Sequence, residues 1–265
     1  MNFSASDDYL GDARTTQHTI IMEHIDKLTF QPGDEVLDVG CGSGEETKTI
    51  ATKVKSVTGI DSSEAMIATA QNSNSASNIR YVIWDARTVG DNPEWRDRFD
   101  KIVSFFVIHW IPSEEQPKAL EGILACLKTG GEGLILNCTD VGSRHSIRGT
   151  VLHLKNHPKW GVYVKQDKPL AGWWSRPIKD TDELMKTYDC TSVNCEVVTH
   201  RMSLSELQFK LTAKTLLSFL SLIPAEEQET FLEDLYRQAL LDLEDKDQPG
   251  HIRHIAESVA IHVRK

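Results

Sequence analysis

The chain has 265 residues, 40% of them hydrophobic and 26% charged, which suffices to bury one full α/β core with an appended cap; two equal domains would each be small. Its formal charge of −10 and acidic pI near 5.5 exclude the dense basic face that nucleic acid or an anionic membrane requires, so small-molecule chemistry is favoured. The cysteines, at 41, 126, 138, 190 and 195, are odd in number and form no CxxC pair, so neither a disulfide framework nor a metal site is indicated. The opening MNFSASDDYLGDAR has acids and no apolar core, and the most apolar run, IVSFFVIHWI, is too short to span a bilayer. A cytoplasmic location is the default expectation.

The first predicted helix covers 12–28. Within it Gln17 stands at i, i+4, i+8 spacing with Ile21 and Ile25, which puts a carboxamide on an otherwise apolar face, pointing inward. The run EVLDVGCGSG at 35–44 follows, where a short apolar strand ends on Asp38 and passes into Gly40, Gly42 and Gly44. Glycines at alternate positions let the backbone turn tightly and approach a ligand without a Cβ in the way. The dinucleotide fingerprint is G-x-G-x-x-G beside a pyrophosphate; here the spacing is G-x-G-x-G, with Asp38 ahead and Glu45 and Glu46 behind. That charge repels a pyrophosphate and suits a zwitterionic, net cationic cofactor.

After a helix over 45–53, VKSVTGID reads as a buried strand ending on Asp61, an acid placed to take both ribose hydroxyls. A helix over 63–72 and a strand over 78–85 ending on Asp85 come next. NPEW at 92–95 is read as a turn, and the strand over 99–110 runs into His109 and Trp110. Ser113 and Gln116 suggest a capping box opening a helix over 113–128. Further strands are expected at 132–138, 192–200 and 256–264, with helices at 181–187, 204–222 and 225–243. The histidine pair of HIRH at 251–254 lacks a third ligand and reads as a solvated helix or loop, and the nine acids of 225–247 as a solvated helix face.

The ordered set EVLDVGCGSG, VTGIDSSEAM, YVIWDAR, FDKIVSFFVIHWI and LKTGGEGLIL resembles the class I S-adenosylmethionine-dependent methyltransferases over roughly 30–140. Gln17, the HWI triplet at 109–111, FLEDLYRQAL and the closing VAIHVRK are further similar to the insect juvenile hormone acid methyltransferases. The resemblance implies a single α/β domain over 1–265: a seven-stranded, mostly parallel, doubly wound Rossmann-like sheet, with helical cap insertions at about 139–190 and 203–250. It implies S-adenosyl-L-methionine as cofactor, no metal, and cofactor contacts at Asp38, Gly40, Gly42, Gly44, Asp61, Ser62, Met66, Asp85, Ala86 and Ser104.

The implied reaction is methylation of the carboxylate of a small hydrophobic acid, of the farnesoic or juvenile hormone acid type, in the pathway of juvenile hormone biosynthesis. A carboxylate is ionised at neutral pH and needs no base, only two neutral donors to position it, for which Gln17 and Trp110 are the candidates. An alcohol acceptor would need a base, and His109 is the candidate for it. Trp160, Trp173 and Trp174 in the first insertion either line the acceptor pocket or pack the cap as a small core. A polycarboxylate acceptor, met by Arg144, Arg148 and Arg176, and a catalytically silent cofactor-binding subunit are the alternatives. The sequence leaves open whether the chain forms a homodimer.

Overall fold

The computed structural model describes residues 15–139, 146–166 and 176–265. In chain order, α1 (Thr15–Ile25) precedes β1 (Glu35–Val39), α2 (Glu45–Ala51), β2 (Ser56–Asp61), α3 (Glu64–Ser73), β3 (Ile79–Ile83), β4 (Phe99–Phe105), α4 (Gln116–Ala125) and β5 (Leu127–Cys138). Then come α5 (Ile147–His153), α6 (Gly161–Val164), α7 (Ile178–Met185), β6 (Ser192–Leu204), α8 (Glu206–Leu216), α9 (Ala225–Leu243) and β7 (Ile252–Arg264).

The strands form one sheet in the order β3-β2-β1-β4-β5-β7-β6. Pairings among β1 to β5 are parallel, while β7 runs antiparallel to both β5 and β6. Strand order reverses between β1 and β4, and open parallel sheets bind ligands at the carboxyl ends of the strands flanking such a switch.

Alternation along the strands builds two layers. Leu37 and Val39 of β1 join Leu120 and Ile123 of α4 and Met185 of α7 on one face, while Val36 joins Ile21 and Ile25 of α1 and Ile50 of α2 on the other. Helix α1 is rich in β-branched residues of modest helix propensity, so it owes its stability to docking: Ile20, Ile21 and Ile25 are buried, each contributing about 1.5–3 kcal/mol. A second core, of Phe209, Phe219, Phe231, Leu235 and Trp160, lies among α5, α6, α8 and α9.

Several elements differ from the sequence expectation for identifiable reasons. Helix α4 starts at Gln116, not Ser113, and its N-cap Glu115 makes no side-chain cap bond. Pro117 explains the shift, because its missing N–H is tolerated only in a first turn. A capping box does occur at Ser205 and Gln208, opening α8. HIRH is not solvated: it enters β7, and His254 is buried at 4% exposure, which pushes its imidazole down to about 4. NPEW is a turn, with the Trp95 N–H donating to the Asn92 carbonyl at 3.1 Å. None of the described cysteines is in a disulfide, and no helix among the described residues is long and apolar enough to cross a membrane.

Candidate active site

A cavity of about 440 Å³ opens at the carboxyl ends of β1, β2, β3 and β4, within the range of small-molecule and cofactor sites. Its first half comes from the loops after β1, β2 and β3. Asp38 is the penultimate residue of β1, and its Oδ2 accepts a 2.5 Å bond from the Thr47 hydroxyl of α2, which fixes the carboxylate at the cavity wall. The glycine loop begins with the Gly40 and Cys41 N–H groups donating to the Ile60 carbonyl at 2.7 and 2.9 Å, so β1 and β2 set its start. Gly40 has φ +76 and a Cβ there would lie 2.1 Å from Val107, whereas at Gly42 nothing stands within 4 Å of that position. One glycine lets the protein close on itself and the other leaves room for a ligand. Gly44, the N-cap of α2, belongs to the first kind: it backs onto Tyr81 and does not line the cavity.

Asp61 terminates β2. Its Oδ2 accepts from the Gly42 N–H at 3.1 Å and its Oδ1 from the Ser63 N–H at 2.8 Å. Burial raises its carboxyl above the usual range, opposed by those two bonds. A carboxylate oriented this way retains lone pairs for two hydroxyls of one ribose. Ser62 and Met66 complete that wall, together with Asp85 and Ala86 after β3. Arg87 donates from its backbone to Asp85 Oδ1 at 2.8 Å and from its guanidinium to Oδ2 at 2.6 Å, and these bonds hold the Asp85 carboxyl below the usual range.

The second half comes from α1 and the end of β4, and it is of different chemistry. Gln17 lines the cavity with Ile21 one turn later, as the i, i+4 pattern predicts. Strand β4 stops at Phe105, earlier than expected, because Phe106 takes a left-handed φ of 61, a conformation a bulky side chain rarely adopts. The chain then turns through one 3-10 turn, Ile108–Trp110, which brings Trp110 to the cavity wall beside Phe105, Phe106, Val107, Ile111 and Pro112.

Besides Gly44, five expected site residues stand elsewhere or outside the described residues. Ser104 is fully buried within β4, and the wall is supplied by the three residues after it. His109 is not in the wall although Trp110 is: successive side chains of a 3-10 turn point about 120° apart. Its ring is buried, and burial pushes the imidazole down to about 3. Trp160 is a cap-core residue, fully buried edge-to-face against Phe231, with its indole N–H donating to Asp234 at 2.9 Å. Trp173 and Trp174, like Arg144, lie outside the described residues. Glu46, read from the sequence as one of the acids behind the glycine loop, lines the cavity, and so do Cys41, Ser63, Trp84 and Arg87, which had not been singled out.

Residues 36–131 match the family model described as a methyltransferase domain, and this segment supplies the described lining residues of the cavity other than Gln17 and Ile21. Over 90% of its length the chain is 24% identical to juvenile hormone acid O-methyltransferase of Bombyx mori, spanning 85% of that protein. Trans-aconitate 2-methyltransferase of Deinococcus radiodurans is 33% identical over 38% of the chain, and an uncharacterized methyltransferase of Schizosaccharomyces pombe 26% identical over 48%. The chain spans about half or less of the length of these last two relatives, 36% and 48%. The same fold occurs in the YcgJ protein of Bacillus subtilis, with TM-score 0.62, 14% identity and coverage of 94% and 99% of the two chains. It also occurs in phosphoethanolamine N-methyltransferase 2 of Haemonchus contortus in complex with S-adenosyl-L-methionine, with TM-score 0.56, 16% identity and coverage of 94% and 52%. With the glycine loop and Asp61 in one cavity inside the matched segment, residues 36–131 carry a methyltransferase domain of the class I type, with S-adenosyl-L-methionine as its cofactor.

Proposed function

We propose that this methyltransferase acts on the carboxylate of a small hydrophobic acid. The observation that carries the reading is the composition of the acceptor half of the cavity. Two neutral hydrogen-bond donors, the Gln17 carboxamide and the Trp110 indole, stand among Ile21, Phe105, Phe106, Val107, Ile111 and Pro112. Bound S-adenosylmethionine supplies an activated methyl group on a positively charged sulfur. The chain's residues have to align the acceptor oxygen with it and exclude water, and a carboxylate has no proton to remove at neutral pH. Neutral donors orient such an oxygen without the tight ion pair an arginine would make, so its lone pairs stay available for attack.

The described lining residues do not supply what the alternatives need. A polycarboxylate acceptor calls for cations, and among the described cavity residues the one arginine, Arg87, is committed to Asp85 and Glu115. A hydroxyl acceptor with His109 as base requires that ring in the cavity wall, where it is not found. A silent cofactor-binding subunit has no use for an apolar chamber beside the cofactor loop. The name of the Bombyx mori relative, which matches through the cap as well as the core, supports an apolar acid such as a juvenile hormone or farnesoic acid. The test is transfer of labelled methyl to a panel of acids graded in chain length and polarity. Apolar acids of about the size of farnesoic acid should form methyl esters fastest; faster transfer to polycarboxylates, alcohols or amines would overturn the reading.

A further inference from the structure

Tyr81, in the middle of β3, is half-buried and lies outside the cavity wall, yet two glycines of other elements leave room for it. A Cβ at Gly59 of β2 would stand 2.9 Å from the Tyr81 ring, and one at Gly44 would stand 2.4 Å from its hydroxyl oxygen. Gly44 suits glycine in any case, since its φ is +82. Gly59 sits inside a strand without a left-handed φ, so the close approach of the ring, with Cys41 Sγ 3.1 Å from the same position, accounts for the missing side chain. The ring is thus wedged between β2 and the rear of the glycine loop. Its hydroxyl donates to the Asn74 carbonyl at 2.9 Å and lies 3.4 Å from the Gly44 carbonyl. Asn74, the C-cap of α3, in turn donates from its Nδ2 to the Ser43 carbonyl at 2.8 Å.

We infer that Tyr81 and Asn74 are positioning residues for the cofactor: from outside the cavity they fix the rear of the glycine loop, and with it the height of Gly42. The loop is tied along its length. Gly40 and Cys41 are held at the front by the Ile60 carbonyl, Gly42 in the middle by Asp61, and Ser43 and Gly44 at the rear by Asn74 and Tyr81. Three glycines in five residues have much backbone freedom to lose, so a loosely held loop would bear that ordering cost when it closes on a ligand. Bonds already made within the protein move the cost to folding, and affinity for a ligand lying over Gly42 rises accordingly. Neither Tyr81 nor Asn74 lines the cavity, so their effect on binding passes through the loop. The effect is on the cofactor and is the same whatever the acceptor.

The test combines calorimetric titration with S-adenosylhomocysteine and hydrogen exchange of the full-length protein without ligand, in Tyr81→Phe and Asn74→Ala. Tyr81→Phe keeps the wedged ring and loses the hydroxyl; Asn74→Ala loses the donor without adding a charge. Each should weaken S-adenosylhomocysteine binding by roughly three- to tenfold, the equivalent of one hydrogen bond. Each should also speed exchange of the loop amides over 40–44 by a similar factor, while β4 and β7 exchange as in the wild type. Wild-type affinity in both variants, whatever their melting temperatures, overturns the proposal. Weaker binding with loop exchange unchanged overturns it too, because the effect would then not pass through the loop. So does faster exchange spread equally through β4 and β7, which would mark a general loss of stability. No acid is used, so an acid that fails to bind the wild type refutes only the acceptor reading.

Discussion

Gly40 and Gly42 stand two residues apart in one loop, both with positive φ, +76 and +54, yet alanine should do different things at each. At both, an L side chain in the left-handed region costs about 1–2 kcal/mol. At Gly40 the new Cβ would also sit 2.1 Å from Val107, a cavity-wall residue, so the β4 turn must shift. Overpacking of this kind adds roughly 1–3 kcal/mol. At Gly42 the same atom meets nothing within 4 Å and projects where the cofactor must lie. At about 2–4 °C per kcal/mol for a protein of this size, Gly42→Ala should lower Tm by about 2–8 °C and Gly40→Ala by about 4–20 °C. Thermal melts without cofactor give the stability order, and calorimetric titration with S-adenosylhomocysteine gives the affinity. Gly42→Ala should lose most of its affinity while remaining more stable than Gly40→Ala. Equal destabilisation of the two variants, with cofactor affinity intact in Gly42→Ala, would refute the division of labour within the loop.

Gln17→Ala and Trp110→Phe should each lower kcat/KM for an acid acceptor by one to two decades, about 1.5–3 kcal/mol for a bond to a charged group, with cofactor affinity nearly unchanged; wild-type kinetics in both would remove them from the acceptor site. His24, His109 and His254 are buried with imidazoles pushed down to about 4, 3 and 4, chiefly by burial. The unfolded chain takes up these protons near 6.5 and the folded chain does not, so stability present at neutral pH is lost as pH falls below 6.5. At pH 5 the loss is about 2 kcal/mol per site, and a urea midpoint that does not change between pH 7 and 5 would contradict it. Lys101, Glu132 and Arg264 stand side by side on β4, β5 and β7, with Lys101 Nζ donating to Glu132 at 2.8 Å. Glu132→Leu strands a buried ammonium and should cost roughly 3–5 kcal/mol, most of it recovered in Lys101→Met/Glu132→Leu; an equally unstable double variant would show that the packing, not the pairing, matters.

The cofactor half of the site was legible because it depends on backbone geometry that few residue types permit. Glycines at fixed offsets after a strand, and acids at the ends of two more strands, place Asp38, Asp61 and Asp85 before any tertiary contact is known. Helix α9 was equally legible, its bounds of 225–243 matching the periodicity and the flanking Pro224. Pairing, by contrast, is invisible to local pattern: β6 and β7 run to thirteen residues each because they pair with one another along their whole length, drawing His254 into the sheet. The same limit separates His109 from Trp110, which adjoin in sequence but differ in facing because Phe106 bends the chain. It also explains Trp160, since an aromatic in an insertion reads alike whether it fills a cap core or a pocket.

The two halves of the cavity divide the electrostatic work. Asp38, Glu46 and Asp61 line the cofactor half, where Arg87 offsets the further charge of Asp85. A carboxylate acceptor straying to that side meets like charges, and at 4 Å and an effective dielectric near 20 each is worth about 4 kcal/mol of repulsion. On the side of Gln17 and Trp110 it meets two donors and no acid among the described lining residues. The sulfonium is drawn the other way, toward the acids. Opposite charges on donor and acceptor are therefore sorted to opposite walls and brought face to face at the boundary between them, which is where a methyl group passed in line from sulfur to oxygen must lie. The arrangement supplies orientation by repulsion as well as by attraction. A polar residue without charge at position 17 is consequently more than a convenient donor: an arginine there would trap the acid and neutralise the oxygen that has to attack, and a glutamate would expel it.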